Sequence, residues 1–402
     1  MTTVVQEIPF PLPDFKTCTG IPPSIGDTRA TISPDNLMNS SNILYNYVDV
    51  LCTLAHNHQP NADSVPKILL SAKQIPLLQV EGHCPWSNYR IAKEHLSKWT
   101  VYDEIVMAVI SACLTYNQLT IQNLEEYSLQ EEQLTDEAWR KANNLLKQSF
   151  SLLNAFSPGV DDPSHSVNLN YVFQLNTALI QLMVVMKNLF LTYHEIDAQF
   201  GAFDKLPANL GTYRKILIFI YNKFSVLGSL HSGFTHDRSF QNYKHFLQAL
   251  YCYYSAAEYY KKNEMGLALG LVEYGLQSVI ERDPIRSKLG IQRKKKKVKD
   301  KKLLEGEIKL AREFHKNDFP VLLQRVLVIV AKLLRILYVK FDKMNSSLNF
   351  DRVVEPMEIE QNYLFTSANL PSGLQVPLAN VMEYVPNCLE GYARQPTVRR
   401  YY

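Results

Sequence analysis

Apolar residues in this chain recur at three- and four-residue steps over long blocks, and nowhere do they alternate for long enough to make the face of a strand. The clearest block is AWRKANNLLKQSFSLLNAF, where Trp139, Ala142, Leu145, Leu146, Phe150, Leu153 and Phe156 share one side of a helix. Thr135, Asp136 and Glu137 precede it as a start signal: a hydroxyl that accepts an amide, then acids against the positive end of the helix dipole. Further helices are expected over Asn36–His56, Val65–Leu78, Trp86–Leu119, Leu169–Phe200, Asn209–Leu227, Ser239–Lys262 and Met265–Glu281. The spacing predicts an all-α protein of antiparallel helical hairpins, tetratricopeptide-like in its Tyr- and Ala-rich run HFLQALYCYYSAAEYYKKNEMGLALGLVEYG, yet without an exact internal repeat.

A chain of 402 residues that is 46% hydrophobic can bury a large core, and its formal net charge of +3 provides no global field for nucleic acid. Any electrostatic partner must be met locally. The organisation expected is one domain over residues 1–402: an extended, proline-rich segment at 1–34, helical hairpins over 35–282, a basic loop at 283–304, long helices over 305–345 and an irregular wrapping tail at 346–402. Cys18, Cys52, Cys84, Cys113, Cys252 and Cys388 are scattered without a C-x-x-C pair, as reduced core residues would be. The N-terminus lacks a basic stretch followed by an apolar one, so a cytoplasmic protein is expected.

Two apolar stretches invite a membrane reading, Ala178–Tyr193 and Phe319–Phe341, since a span needs about 20 apolar residues. The first is short and carries Lys187 and Asn188. In the second, Arg325, Lys332, Arg335 and Lys340 gather on one flank of a helix, leaving Leu322, Leu323, Val330, Leu334 and Leu337 to pack. Both read as helices of a folded body.

No G-x-S-x-G, H-E-x-x-H, phosphate-binding G-x-x-x-x-G-K-[ST] or G-x-G-x-x-G motif occurs, so no enzyme activity, metal or cofactor is expected. His56 and His58 with Asp63 have the donor types of a zinc site but read as solvated loop residues, and Asp161 and Asp162 as turn formers. The run at Arg293, Lys294, Lys295, Lys296 and Lys297 is a solvated loop, a nuclear or phosphate-backbone contact, or an attachment to an anionic membrane face. Nucleic acid is the less expected partner, because the run has no interleaved aromatics.

Several short motifs fall in the order seen in one known family. Phe10-Pro11-Leu12-Pro13 looks like an opening F-x-L-P segment, and Ala138–Phe156 resembles the helix ahead of the central loop. Ala256 and Ala257, then Gly266-Leu267-Ala268-Leu269-Gly270, look like a Tyr/Ala-rich helix followed by G-x-A-[IL]-G. Lys343-Met344-Asn345 continuing to Asn349 and Pro356 looks like the closing K-M-N-D-T-I motif, and Leu370-Pro371-Ser372-Gly373 like a later L-P-S-G element. Together these resemble the BRO-one domain family, and within it the branch serving fungal ambient-pH (Pal/Rim) signalling. Ser346, Leu374 and Phe341 depart from its usual acid, Arg and Trp.

The resemblance implies a boomerang-shaped, non-enzymatic adaptor that binds the C-terminal amphipathic helix of an ESCRT-III subunit of the Snf/CHMP type. It also implies other Pal/Rim pathway components as partners and peripheral recruitment to an endosomal or plasma membrane. Carried onto this chain, the binding patch is expected at Leu182, Met186 and Phe190, with Phe203 just beyond, and the basic run Arg293–Lys297 as an electrostatic aid to membrane residence. Gly266, Ala268 and Gly270 are expected to let a neighbouring helix approach closely.

Overall fold

The computed structural model describes residues 28, 31–32, 36–78, 99–130, 134–198, 209–230, 238–280, 308–311, 319–366, 381 and 384–390. Its first full helix, α1 (Leu37–His58), is capped by Asn36, whose side-chain oxygen accepts the Asn39 amide at 3.0 Å. α2 (Val65–Ala72) ends before the expected Leu78, because Pro76 has no amide to continue it. Pro76–Leu78 forms a short strand, β1, antiparallel to β2 (Trp99–Thr100). This two-stranded ribbon is the sheet among the described residues, and the architecture is all-α.

α3 (Val101–Gln130) begins later and runs further than the helix expected from Trp86 to Leu119, whose residues up to Lys98 lie outside the described ones. α4 (Asp136–Phe156) starts where the sequence placed it, with the Thr135 hydroxyl accepting the Ala138 amide at 3.3 Å. α5 (Pro163–Ala198) opens inside the stretch expected to be a loop. Asp162 accepts the His165 amide on its side chain and the Ser166 amide on its carbonyl, so Pro163, needing no partner for a missing N–H, starts the helix instead of preventing it. α6 (Leu210–Leu230), α7 (Arg238–Lys261) and α8 (Met265–Val279) follow.

Among the described residues of 305–345, where long helices were expected, α9 covers Val321–Met344 and Leu310 makes an extended bridge to Ile280. The tail expected to be irregular contains α10 (Pro356–Asn362). Its described end returns to the first helix, where Asp49 accepts the Asn387 amide at 2.7 Å and Tyr384 packs edge-on to Tyr45 at 5.1 Å. Apart from Thr28, Thr31 and Ile32, the N-terminal segment lies outside the described residues up to Asn36.

From α3 to α9 each helix packs chiefly on a sequence neighbour, as helical hairpins do, while α10 packs on α8. The turn from α7 to α8 is three residues, with Asn263 at φ 63°. α9 closes the array by packing on α7 and α8 and reaching α3 and α5. Its Leu322, Leu323, Val330, Leu334 and Leu337 are buried, and so is Arg335 from its cationic flank. Glu104 is fully buried in α3, its carboxyl oxygens accepting the Tyr47 hydroxyl at 2.6 Å and the Trp99 indole N–H at 2.9 Å.

The G-x-A-x-G stretch does bring backbone close, but the close neighbour is an extended segment. A methyl group on Gly266 would lie 2.1 Å from the Arg352 carbonyl oxygen, and one on Gly270 2.5 Å from that of Val354. The chain at 351–354 is thus a strap lying on α8, tied by the Val354 amide donating to the Gly266 carbonyl at 3.3 Å. The glycine that admits a neighbouring helix is Gly275, where an added Cβ would stand 2.8 Å from Cys252 Cβ of α7.

Candidate functional site

α5 is apolar almost all round, and that property decides where a partner could sit. Among the described residues two helices are long and apolar enough to cross a membrane by composition: Val101–Ser128, with 94% of its most apolar stretch buried, and His165–Glu195, with 67%. The first is a core helix. The second leaves apolar surface uncovered on a helix lying between α4 and α6.

Leu182, Met186 and Phe190, the expected anchors, do come together on one face of α5, but that face points into the core, with exposures of 1%, 0% and 3%. Phe190 meets Trp139 of α4 edge-on at 6.2 Å, and the Arg325 guanidinium covers its ring at 5.9 Å. The open face lies across the helix. Val184 and Leu191 are each 46% exposed, Ile180, Phe173 and Lys187 are half-buried beside them, and Thr177, itself buried, completes a run at alternating steps of four and three: 173, 177, 180, 184, 187, 191. At about 100° per residue this is the a/d seam of a coiled coil without its second helix.

Charge borders the seam unevenly. Lys187 reaches Asp136 of α4 at 2.7 Å, and that contact holds the Asp136 carboxyl below its usual range. α6 carries Arg214, Lys215 and Lys223 and no acidic residue. Arg214 is matched by Glu258 at 3.0 Å, while Lys223 lies 5.1 Å from the Phe219 ring, its pKa lowered by burial.

Phe203 and Arg293–Lys297 lie outside the described residues. The three expected anchors fall on the covered face of α5, which the sequence does not mark, because a helix hydrophobic on all sides has no polar flank to show which side is inward. The four-three stepping from Phe173 to Leu191 follows the less covered face.

Other clusters have structural work. Asp103 Oδ1 meets His165 Nε2 at 2.9 Å, while its Oδ2 accepts the Thr100 amide and hydroxyl at 2.8 and 2.7 Å, which pins the starts of α3 and α5 together. Lys73 covers the Tyr102 ring and binds Asp161. Asp63 pairs with Lys67 at 2.8 Å, and His56 and His58 sit in the last turn of α1, where cations suit the helix dipole. Among the described residues no group of three His, Cys, Asp or Glu is placed to hold a metal ion. Burial pushes the Cys113 thiol up to about 12 and raises those of Cys52 and Cys252, leaving them as protonated core groups.

Residues 99–402, well over half the chain, match the model of a family of unknown function, DUF5355. The chain belongs to the DUF5355 family. No curated protein matches this DUF5355 member. A solved structure described as "Structure basis for endosomal targeting by the Bro1 domain" is similar at 13% identity, covering 92% of this chain and 84% of that one with a TM-score of 0.43.

Proposed function

We propose that this protein is a non-enzymatic adaptor whose α5 seam receives an amphipathic helix from a partner, the C-terminal helix of an ESCRT-III subunit of the Snf/CHMP type. The observation that carries the reading is the exposed pair Val184 and Leu191, which with half-buried Ile180 forms an apolar a/d stripe along α5. A partner helix laid there buries its own i, i+3, i+4 and i+7 side chains. The cations of α6 favour an occupant with acids on its flanks. Leu182, Met186 and Phe190 support the seam from beneath.

The motifs shared with the BRO-one family support the choice of ESCRT-III, and their PalC-like character supports a role in ambient-pH (Pal/Rim) signalling alongside that pathway's other components. In this role Phe203 extends the contact, and Arg293–Lys297 strengthen residence at an anionic endosomal or plasma membrane by about 1 kcal/mol per cation.

The test is fluorescence anisotropy with a labelled Snf/CHMP-type C-terminal peptide. Losing an apolar contact of Val184 or Leu191 costs about 1–2 kcal/mol each, so Val184→Asp/Leu191→Asp should weaken binding at least about tenfold. Both positions are exposed, so the variant should melt with the parent. Unchanged peptide affinity in that variant removes the seam as the site.

A further inference from the structure

The strap on α8 ends in a feature that the adaptor reading leaves unused. After α9 the chain makes one wide π-turn, Asn345–Asn349, and reverses at Phe350 with φ 58° and ψ 25°, a left-handed conformation that bulky residues adopt only where their surroundings enforce it. Asn345 enforces it: its amide donates to the Asp351 carbonyl and its side-chain oxygen accepts the Asp351 amide, both at 2.9 Å, while its backbone carbonyl accepts the Phe350 amide at 2.8 Å. Gly266 and Gly270 then seat the following backbone on α8.

This ordered segment displays its largest apolar side chains to solvent. Leu348 is 70% exposed, Phe350 75%, and Met357, in the first turn of α10, 68%. The conformational entropy of presenting them is already lost in folding, which favours a binding element. Between Asp351 and Asn362 the chain carries Asp351, Glu355, Glu358 and Glu360 against the single cation Arg352. That acidic excess disfavours an anionic membrane face and favours a basic, apolar receptor.

This molecule carries one such receptor: the α5 seam, bordered on one side by the acid-free, cationic α6 and on the other by Asp136 of α4, which Lys187 neutralises. It cannot be reached within one molecule. α9 touches Phe190 through Arg325 and the Tyr193 hydroxyl through Lys332 at 2.8 Å, then continues away from α5 for thirteen more residues to Asn345, roughly 20 Å of helix. We infer that the Leu348–Phe350 knob of one copy docks into the α5 seam of a second, a head-to-tail self-association. The inference rests on the seam being open to partners, as the proposed function also requires.

The experiment is analytical ultracentrifugation of the full chain up to roughly 100 µM, a range suited to a small interface. The parent's average mass should rise from 46.2 kDa past twice that value with concentration, since an unclosed heterologous contact repeats. Leu348→Asp/Phe350→Asp and Val184→Asp/Leu191→Asp should each remain monomeric alone, with association weakened at least about tenfold. Mixed, they should form a one-to-one dimer and stop there, because one retains the knob and the other the seam. A parent that stays at 46.2 kDa, a knob variant that associates as the parent does, or a mixture that forms no dimer overturns the inference. The knob variant keeps its seam and should bind the Snf/CHMP-type peptide as tightly as the parent. Loss of self-association with peptide binding intact therefore leaves the adaptor reading standing, and loss of peptide binding in the seam variant alone is scored separately.

Discussion

Replacing Gly266 by Ala tests the strap on α8 directly, because two opposing effects of known size meet at one atom. In an exposed helix the change would stabilise by about 1 kcal/mol through propensity alone. Here the new methyl would stand 2.1 Å from the Arg352 carbonyl oxygen, 3.0 Å from its carbonyl carbon and 3.1 Å from Asp351 Cβ. Ordinary contact begins at least about 1 Å further out, and the obstacles are mostly backbone, so no rotamer change relieves them. α8 cannot retreat either, since Met265, Leu267, Ala268 and Leu269 are buried around the site. The strap must lift.

Lifting it breaks the Val354–Gly266 hydrogen bond, costing about 1 kcal/mol, and disturbs packing by about 1–3 kcal/mol, against about 1 kcal/mol regained in propensity. The net local cost is about 1–3 kcal/mol, which should speed amide exchange at Val354 roughly ten- to hundredfold. Gly211→Ala is the control: its added carbon meets the Glu258 carboxylate at an ordinary 3.6 Å and should be neutral or mildly stabilising. If Gly266→Ala melts higher than the parent while Val354 exchange is unchanged, the strap does not constrain this glycine and the reasoning fails.

Tyr47→Phe removes a donor to the fully buried Glu104 carboxyl, and chemical denaturation should register a loss of about 1–3 kcal/mol; a change below about 0.5 kcal/mol would mean that another group satisfies that oxygen. Asp103 provides the pH test. Burial alone would raise its pKa, but hydrogen bonds from His165 and Thr100 outweigh burial and leave it below the ordinary value. The stability it contributes is therefore fully present above the unfolded-state pKa of about 3.9 and is lost as pH falls through the lower folded value. In Asp103→Asn the acid limb of a stability-against-pH profile should flatten below about pH 4; parallel limbs in the two proteins would refute the assignment.

The helices were legible where one face was apolar and the start was marked. α4 shows this, with Thr135 as cap and Trp139 to Phe156 as stripe, and so does α9, whose Leu322 to Leu337 face is inward as spaced. Boundaries failed where a residue has two uses. Pro163 reads as a breaker until Asp162 is seen to cap it, and Pro76 reads as helix interior until the ribbon with Trp99–Thr100 is seen. The covered face of α5 was not legible for a different reason: the residues at 182, 186 and 190 and those at 180, 184 and 191 are equally apolar, and only the packing of α4, α6 and α9 decides which set is covered. The strap was half legible, since small residues announce a close approach but do not say what approaches.

The seam and the knob belong to one frame because α9 is unbroken from Val321 to Met344. Near its start it grips the covered side of α5 through Phe190; at its end Phe341 stacks on Tyr260 of α7 at 4.7 Å, and the π-turn follows directly. A change confined to the exposed tips at Leu348 and Phe350 leaves this frame untouched, whereas a change at Gly266 acts on the seat that orients them. The two perturbations therefore separate surface chemistry from presentation: the first alters what the knob can bind, and the second alters how firmly it is held.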